Sequence, residues 1–507
     1  MSDAGTQAPT NVATGVSRRR VLAASAAVGV AAGTLHATKA VAAAPERKPD
    51  HGSGTAPWKN GRLIVSDNGR FLQHQNGKPF FWLGDTAWLL HKLSKDDIGK
   101  YFADRRRKSF NVAQLQVVPA SLDYKNHDGE TPFVQHQIRQ PNPAYWSYVD
   151  YIVDQAAQHG IYMAMDTVWG SIVTSGQLTG DDAAWYGDWI GKRYKDKPNI
   201  VWLNGGDTKA DQALPVWLTL GAAIRKADPN HLITFHPFGR YSSSTWFHDA
   251  DWLDFNMFQS GHRTYQQSFD AATPEVTGVE LPTLWKGEGN WKDVIEDYKL
   301  YPPKPTLDGE PSYEGIPQGL HDPTQPLWND DDVRRYAYWS VFAGACGHTY
   351  GNGAVMSMHL PSDGPTGAYG VTKYWDEAIH DPGAGQVQHL QQLMLSRPYF
   401  QRIYDPTVVI GDPGFQHDHL ITTRGDDFLF AYIYTGRSFS LQLGKLSGDV
   451  LKAWWYRPKD GSCRPLGHLK NSGVRRFDPP GRPAPGNDWV LVLDDAAQEF
   501  ARPGEVS

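Results

Sequence analysis

Two carboxylates, Asp207 and Glu310, each follow a short apolar run, and together they could perform acid–base chemistry on a glycosidic bond. Asp207 comes after the run at 200–203 and a Gly-Gly pair, whose conformational freedom lets the chain turn and present the carboxylate. Glu310 comes after the run at 305–307, in the segment KPTLDGEPSYE. Cleavage of a glycosidic bond uses one protonated and one ionised carboxyl group, which flank that bond. We therefore predict that Asp207 and Glu310 form such a pair, provided that both runs end on the same face of the fold.

Other roles are open for both residues at this point. Asp207 could be the N-cap of a following helix, because a short carboxylate there accepts hydrogen bonds from free backbone N–H groups. Glu310 could be a surface acid, or its role could belong to Glu314 or to Glu288, which has aromatic neighbours in WKGEGNW. The residues alone do not choose between Glu288 and Glu310 as the nucleophile.

Polar and aromatic side chains also lie at the ends of the other predicted strands, where a sugar-binding pocket would need them. Each could instead cap a helix or be a satisfied buried polar group, which is the usual case for a single residue. Their presence at every strand end favours a polar pocket with an aromatic wall, in which Trp169 or Tyr350 stacks on the sugar. The predicted substrate-binding residues are Asp85, Gln116, Asp166, Trp169, Asn204, His236, Asn256, Gln259, His262, Tyr313 and Tyr350.

Repeated βα units are the elements that would position these side chains. Short apolar runs alternate with amphipathic helical patterns at 144–159, 183–194 and 214–227. Eight strands with helices between them predict an α/β fold, a (β/α)8 TIM barrel, although a doubly wound sheet fits the same count. In a barrel the active site lies at the carboxyl ends of the strands, and strands four and seven lie nearly across from each other. The predicted strands are Phe80–Gly84, Val112–Val118, Ile161–Met165, Ile200–Leu203, Leu232–Phe235, Leu253–Met257, Pro305–Leu307 and Ala345–Tyr350.

The pattern changes after Pro398, where short strands follow one another with almost no helical periodicity. This indicates a small C-terminal β-sandwich over 398–507, after a barrel over 58–397. The sandwich could be a packed support for the barrel or a binding domain. Its predicted strands are Thr407–Ile410, Leu420–Thr423, Phe428–Thr435, Ser438–Leu443, Val450–Tyr456 and Trp489–Leu493.

The N-terminal 42 residues have the pattern of a twin-arginine signal peptide. Ser17-Arg18-Arg19 precede a weakly apolar stretch at 21–35, and Ala40-Val41-Ala42 offer a cleavage site. The stretch is too short and too rich in alanine to be a good membrane span, and a disordered tail is the alternative. We expect a secreted or periplasmic protein, cleaved near Ala42, that meets the twin-arginine export machinery and keeps no membrane anchor; a polar linker follows over 43–57.

Composition excludes several other classes of protein. The chain of 507 residues has a net charge of −6, which does not favour a nucleic-acid or anionic membrane partner. No CxxC, HExxH or EF-hand pattern occurs, so we predict no metal and no cofactor. Cys346 and Cys463 are expected to be free, buried thiols. The 19 Trp, 23 Tyr and 20 Phe suit either a sugar-stacking pocket or a packed core.

At these motifs the chain resembles the apiosidase-like glycoside hydrolases, glycoside hydrolase family 140. The resemblance rests on GKPFFWLGDTAW, NIVWLNGGD, TFHPFGR, SSSTWFHDADWLDFNMFQSGH and KPTLDGEPSYEG, and the run beginning WWYRPKDGSC resembles a collagen-binding-type domain. It implies a barrel with a C-terminal sandwich, in which Asp207 of the GGD motif is the general acid/base and Glu310 of the DGEP motif is the nucleophile. The implied activity is retaining cleavage of apiose-containing side chains of the pectin rhamnogalacturonan II. An endo-acting glycanase of the same barrel class and a non-catalytic carbohydrate- or matrix-binding protein are the alternatives.

Overall fold

The computed structural model describes residues 56–267 and 288–506. The predicted signal peptide and nearly all of the predicted linker lie outside the described residues. A small antiparallel sheet that the sequence did not predict comes first, with strands β1 (Leu63–Val65), β2 (Leu72–His74) and β3 (Pro79–Phe80). Phe80 packs against Tyr162, the first residue of a barrel strand, so this sheet lies at the amino-terminal end of the barrel.

Eight parallel strands form the barrel, in the spatial order β8-β7-β6-β5-β4-β11-β10-β9. The two ends of this order meet, because the Asp254 N–H beside β9 donates to the Ile233 carbonyl of β8 at 2.9 Å. The predicted (β/α)8 barrel is therefore confirmed. Its strands are β4 (Trp82–Thr86), β5 (Val112–Gln116), β6 (Tyr162–Asp166), β7 (Ile200–Thr208), β8 (Ile233–Pro237), β9 (Asn256–Phe258), β10 (Thr306–Asp308) and β11 (Gly347–Tyr350).

Helices surround the strands and bury their apolar faces against them. The helix predicted at 144–159 has Pro143 in its first turn and Gly160, at φ 69°, just past its end, which are the usual start and stop signals. The described helices are α1 (Lys95–Arg107), α2 (Pro143–Gln158), α3 (Gly170–Thr174), α4 (Gly180–Tyr194), α5 (Leu214–Ala227), α6 (Ser244–Phe247), α7 (Trp291–Tyr298), α8 (Asp330–Phe342), α9 (Gly353–Met356), α10 (Trp375–Ala378), α11 (Pro382–Gln386) and α12 (Gln388–Leu395).

All eight predicted barrel strands differ from the observed ones at one or both ends, and the structure shows why two of them begin later than predicted. The first was predicted over 80–84, but Phe80 pairs with Leu72 in the small sheet, so the barrel strand begins at Trp82. The sixth was predicted over 253–257, but a turn in which the Leu253 N–H donates to the Ala250 carbonyl delays β9 to residue 256. Apolar content alone did not show where pairing begins.

The C-terminal region is a β-sandwich, as predicted, and its strands are all antiparallel. Six strands form one sheet in the order β12-β14-β15-β20-β17-β18, and three form the other in the order β13-β16-β19. The strands are β12 (Ile403–Tyr404), β13 (Val409–Ile410), β14 (Leu420–Arg424), β15 (Phe428–Ile433), β16 (Phe439–Leu443), β17 (Val450–Tyr456), β18 (Cys463–Lys470), β19 (Gly473–Phe477) and β20 (Trp489–Asp495).

The sequence pattern did not predict the two-residue strand β12, nor the longer strands β18 and β19. Both strands are mostly exposed, and β18 contains Pro465 and Gly467 and lies at a sheet edge. Edge strands tolerate proline and need not alternate apolar and polar residues. Neither strand therefore shows the alternation by which a strand is recognised in a sequence.

Buried ion pairs join the sandwich to the barrel. The Arg334 guanidinium of α8 donates to both carboxylate oxygens of Asp488 at 3.0 Å, and Arg397 donates to both oxygens of Asp494 at 2.7 Å. The Tyr338 ring of α8 stacks on Tyr432 of β15 at 4.8 Å. These contacts fit the account of the sandwich as a packed support.

Two further sequence expectations concern cysteines and membrane anchoring. Cys346 and Cys463 are both free, as predicted; Cys346 is buried, whereas Cys463 is only half-buried. Within 56–267 and 288–506, no helix has the length and apolar character needed to cross a bilayer.

Candidate active site

A pocket of about 300 Å³ opens at the carboxyl ends of the barrel strands, where the sequence placed the functional residues. This volume is at the lower end of the range for small-ligand sites. Both predicted catalytic carboxylates line it. The lining residues are Trp88, Leu89, Gln116, Trp169, Asp207, Gln259, His262, Glu310, Tyr313, Leu320, Met356, Ser357, Ala368 and Tyr369.

Asp207 is presented to the pocket by a left-handed turn at the end of β7. Gly205, Gly206 and Asp207 have φ values of 116°, 96° and 43°. A Cβ at residue 206 would lie 2.6 Å from a ring carbon of Trp169, so this position needs glycine. Asp207 is the one exposed residue of β7. It is not an N-cap, since α5 begins after Ala213, and that alternative is wrong.

Glu310 lies just beyond β10, is 5% exposed, and contacts two imidazoles. His262 Nε2 is 3.1 Å from its Oε1 in a hydrogen bond. His236 Nε2 is 3.1 Å from its Oε2, close enough for an ion pair but outside hydrogen-bond geometry. Burial alone would raise the pKa of Glu310, but the polar contacts and charges of His236 and His262 hold it well below its usual range. Glu310 is therefore ionised at neutral pH.

Asp207 and Glu310 form a close pair with opposite pKa shifts. A carboxylate oxygen of Asp207 lies within 4.8 Å of one of Glu310. Burial and the charge of Glu310 raise the pKa of Asp207 to about 7, although His236 and a hydrogen bond from Gln259 act to lower it. Protein surrounds Asp207 on all sides except the pocket. Its side chain is therefore accessible to solvent only through the pocket, although the surrounding protein still desolvates its carboxyl group. Below about pH 7, one acid is thus mainly protonated and the other ionised, the arrangement that glycosidic cleavage uses.

Asp207, His236 and Glu310 also offer ligand atoms within 4.8 Å of one another, which is the spacing of a metal site. Burial acts to lower the pKa of His236, but its contact with Glu310 and the charges of Glu310, Asp207 and Asp166 raise it above the ordinary value. A protonated imidazole cannot bind a metal ion. A metal ion at this trio would therefore have to displace a proton from His236 up to a higher pH than from an ordinary histidine.

Five of the predicted substrate-binding residues line the pocket, and two others, His236 and Asp166, lie beneath it. Trp169 forms a wall with Trp88, whose ring is 5.5 Å away. The Trp88 indole donates to the Tyr313 hydroxyl at 3.2 Å, which fixes a second aromatic face. His236 lies under this wall, 5.3 Å from the Trp88 ring. The five lining residues are Gln116, Trp169, Gln259, His262 and Tyr313.

Asp166 lies directly beneath the turn that presents Asp207. It is fully buried, and a Cβ at residue 206 would be 3.1 Å from its Oδ2. Burial, with a contribution from the charge of Asp207, raises the pKa of Asp166 well above its usual value, while His236 acts to lower it. Asp166 therefore supports the floor of the pocket and does not line it.

Four other predicted residues point away from the pocket and make their side-chain hydrogen bonds elsewhere. Each has a partner outside the site: Asp85 accepts from Tyr101 at 2.5 Å and Arg105 at 2.7 Å; Asn204 donates to the Trp217 carbonyl at 3.1 Å; Asn256 contacts His248 at 3.3 Å; and Tyr350 donates to Glu314 at 2.6 Å. Tyr350 is consequently not the stacking wall. Successive side chains of a strand point to opposite faces, and these four face the surrounding helices.

The alternative nucleophiles are engaged in structural contacts. Glu288 binds Arg335, accepts from the Tyr265 N–H at 3.1 Å and contacts His417 of the sandwich at 3.0 Å. Glu314 accepts from Tyr350 and from the Gly383 N–H. Neither lines the pocket, so the geometry favours Glu310.

The sequence reasoning did not select the residues that close the pocket from the loops. Tyr369 and Leu320 have φ values of 56° and 75° and belong to loops without strand or helix periodicity. Tyr369 lines the same pocket as Asp207 and Glu310, and burial together with the charges of those two residues raises its pKa to about 12. The high number of aromatic residues was the only sequence signal for such a residue, and a composition count does not show which aromatic residue lines the pocket.

A larger cavity of about 720 Å³ lies on the sandwich, around Phe415, which is 79% exposed, and Arg437. Arg437 donates to the backbone carbonyls of Pro413 and Asp418, and the Asp418 carboxylate accepts from Thr435 at 2.7 Å. Its polar groups hold their own loops, whereas the barrel pocket is lined by both predicted catalytic carboxylates. The smaller barrel pocket is therefore the candidate active site.

Comparisons with known proteins cover both domains. The family model described as "Apiosidase-like, catalytic domain" matches residues 66–401, and the model described as "Putative collagen-binding domain of a collagenase" matches residues 403–494. A solved glycoside hydrolase is 44% identical, with a TM-score of 0.83, over 88% of this chain and 100% of its own. A family 5 glycoside hydrolase from Bacteroides vulgatus is 41% identical, with a TM-score of 0.83, over 89% of this chain and 97% of its own. No curated protein matches the chain.

Proposed function

Because the chain belongs to the apiosidase-like glycoside hydrolases, we propose that it is an exported, retaining enzyme that removes a terminal sugar, such as apiose, from pectic side chains. One observation carries this proposal: Asp207 and Glu310 share one pocket, within 4.8 Å, with opposite pKa shifts. Retaining enzymes place their carboxyl groups about 5–5.5 Å apart and inverting enzymes about 6.5–9.5 Å apart. The observed spacing supports retention.

The first step joins the sugar to the enzyme. Protonated Asp207 donates its proton to the leaving oxygen while Glu310 attacks the anomeric carbon, so the glycosidic bond breaks as a glycosyl ester forms. His262 and His236 keep Glu310 ionised for this attack. The aromatic wall of Trp88 and Trp169 provides a face against which a sugar ring can pack.

The second step releases the sugar and depends on the loss of one charge. When Glu310 becomes an ester, its negative charge disappears, and the pKa of Asp207 falls because that charge helped to raise it. Asp207 is then a base able to take a proton from water, which attacks the anomeric carbon and frees Glu310. The same interaction thus makes Asp207 an acid in one step and a base in the next.

Pocket size supports action on a chain end. A pocket of about 300 Å³, bordered by Tyr369 and Leu320 from the loops, suits one small sugar ring better than the interior of a polymer. The apiosidase-like family supports a rare pectic furanoside as the substrate class. The twin-arginine pattern supports export to the compartment where plant glycans are met.

The test is product analysis on pectic oligosaccharides, including apiose-containing side chains of rhamnogalacturonan II, with Glu310→Gln and Asp207→Asn as controls. We expect one released monosaccharide, and NMR during the first turnovers should show the anomer of the substrate. Oligosaccharide products would replace this proposal with an endo-glycanase, and an inverted anomer would refute retention. Binding without turnover would identify a non-catalytic carbohydrate-binding protein.

A further inference from the structure

Asp308 is a fully buried carboxylate two residues before Glu310 that does not line the pocket. Its Oδ2 accepts from the Ser260 hydroxyl at 2.6 Å and from the Asn290 side-chain amide at 2.7 Å. Ser260 lies just beyond β9, and Asn290 is the residue before α7. One carboxylate therefore joins the ends of two barrel strands and the start of a helix.

The segment that Asp308 holds, residues 260–262, contacts Glu310 in two ways. The N–H groups of Ser260 and Gly261 each donate to the Glu310 carbonyl at 3.1 Å. His262 Nε2 forms its 3.1 Å hydrogen bond with the Glu310 carboxylate. The backbone and the side chain of the proposed nucleophile are thus both set by the segment anchored at Ser260.

Close backbone packing leaves this segment little freedom to shift independently. A Cβ at Gly261 would lie 2.7 Å from the Pro311 carbonyl carbon, and one at Gly309 would lie 2.5 Å from Met257 Sδ. A displacement of Ser260 is therefore transmitted to its neighbour His262, because packed interiors do not absorb such shifts freely.

The other partner of Asp308 is anchored as well. Asn290 also donates to the Tyr336 carbonyl of α8 at 2.9 Å, and its N–H donates to the carbonyl of Glu288 at 3.0 Å. The Glu288 carboxylate binds Arg335 of α8 and His417 of the sandwich. Asp308 is therefore tied to the same rigid frame that joins the two domains.

We propose that Asp308 is a positioning residue: by holding Ser260 against the Asn290 anchor, it sets the His262–Glu310 contact and so keeps the nucleophile ionised. This inference rests on the proposed function of Glu310. It predicts that loss of the Asp308–Ser260 bond changes the ionisation of Glu310, which a merely structural role would not do.

The chain offers a matched control at the other end of the same strand. Asp297 is also buried and accepts from Ser244 and from Thr306 of β10, both at 2.6 Å, but it contacts no residue of the pocket. Replacing Asp297 disturbs a comparable hydrogen-bonded cluster without touching the segment that carries His262.

The experiment compares Ser260→Ala, Asp308→Asn, His262→Ala and Asp297→Asn in the full chain, each checked by thermal melting. The pH dependence of kcat/KM is measured for each, because its acid limb reports the pKa of the nucleophile in the free enzyme. We expect the acid limb of Ser260→Ala and Asp308→Asn to move to higher pH, in the same direction as that of His262→Ala. A rise of one pH unit in the acid limb lowers kcat/KM by about tenfold at pH values below the wild-type limb and far less at pH values well above it.

The Ser260→Ala change should add no further shift in a His262→Ala background, since both act on one contact. An unmoved acid limb in Ser260→Ala, or an equal shift in Asp297→Asn, would overturn the proposal. If Asp308→Asn does not fold, Ser260→Ala, which removes only a hydroxyl, decides the matter. An active Glu310→Gln would instead refute the proposed function, so the two failures are distinguishable.

Discussion

The pKa of Asp207 should fall when the charge of Glu310 is removed. Two unit charges no more than 4.8 Å apart interact by at least about 3.5 kcal/mol at an effective dielectric constant of about 20 and by at least about 0.9 kcal/mol in bulk water. These two energies correspond to shifts of about 2.5 and about 0.6 units in the pKa of Asp207. Because solvent reaches Asp207 through the pocket, we expect a fall of about one unit, from about 7 towards 6, in Glu310→Gln.

Difference infrared spectroscopy of the carboxyl band measures this pKa directly, with Asp207→Asn as the spectral reference. The wild-type basic limb of kcat/KM should also lie near 7, since Asp207 must be protonated for the first step. Glu314→Gln is the matched control, because it removes a buried carboxyl group outside the pocket and should leave the pKa of Asp207 unchanged. An unchanged pKa in Glu310→Gln would mean that burial alone raises it, and the acid-to-base change proposed for the second step would have no basis.

Four further outcomes follow from the site and its surroundings. Gly206→Ala should lower kcat by at least about tenfold, because a Cβ there meets Trp169 at 2.6 Å and φ is 96°, whereas Gly99→Ala, in open space on α1, should leave kcat unchanged. Tyr369→Ala should raise KM about tenfold with the fold intact, as steady-state kinetics and thermal melting would show. Overnight treatment with EDTA should leave activity unchanged, and a loss restored by added metal would show that Asp207, His236 and Glu310 act with a metal ion and not by proton transfer alone. Burial raises the pKa of Glu314 to about 7, so its contribution to stability is present below about pH 4 and is lost as pH rises through 7; urea unfolding should show a shallower decline over that window in Glu314→Gln.

The parts of the site that sequence predicted best are those where the backbone dictates the residue type. The Gly-Gly-Asp turn after β7 could be found because only glycine permits the left-handed turn that presents Asp207. Glu310 was found because it follows the short run of β10. In both cases chemistry and local conformation point to the same residue.

The orientation of single side chains at strand ends could not be predicted in the same way. Asp85 follows its strand pattern as clearly as Gln116 does, yet it points to Arg105 while Gln116 lines the pocket. A shift of one residue in where a strand begins reverses the face, and apolar content does not fix that point. The pocket-lining position of Tyr369 could not be predicted for a different reason. Tyr369 lies in a loop, and the conformation of that loop is determined by tertiary packing.

The guanidinium groups at the domain border bear on how this protein can be recombined with its relatives. Arg334 and Arg397 belong to the barrel, but their carboxylate partners, Asp488 and Asp494, belong to the sandwich. Cutting the chain near residue 402 removes the sandwich partner of both cations and exposes the barrel face that carries them, although Arg334 keeps Asp330 and Asp331 of its own helix as partners. The barrel should therefore not be stable without the sandwich, and the two domains should melt in one transition. A chimera has to exchange both domains together, so that each Arg–Asp pair keeps both of its partners.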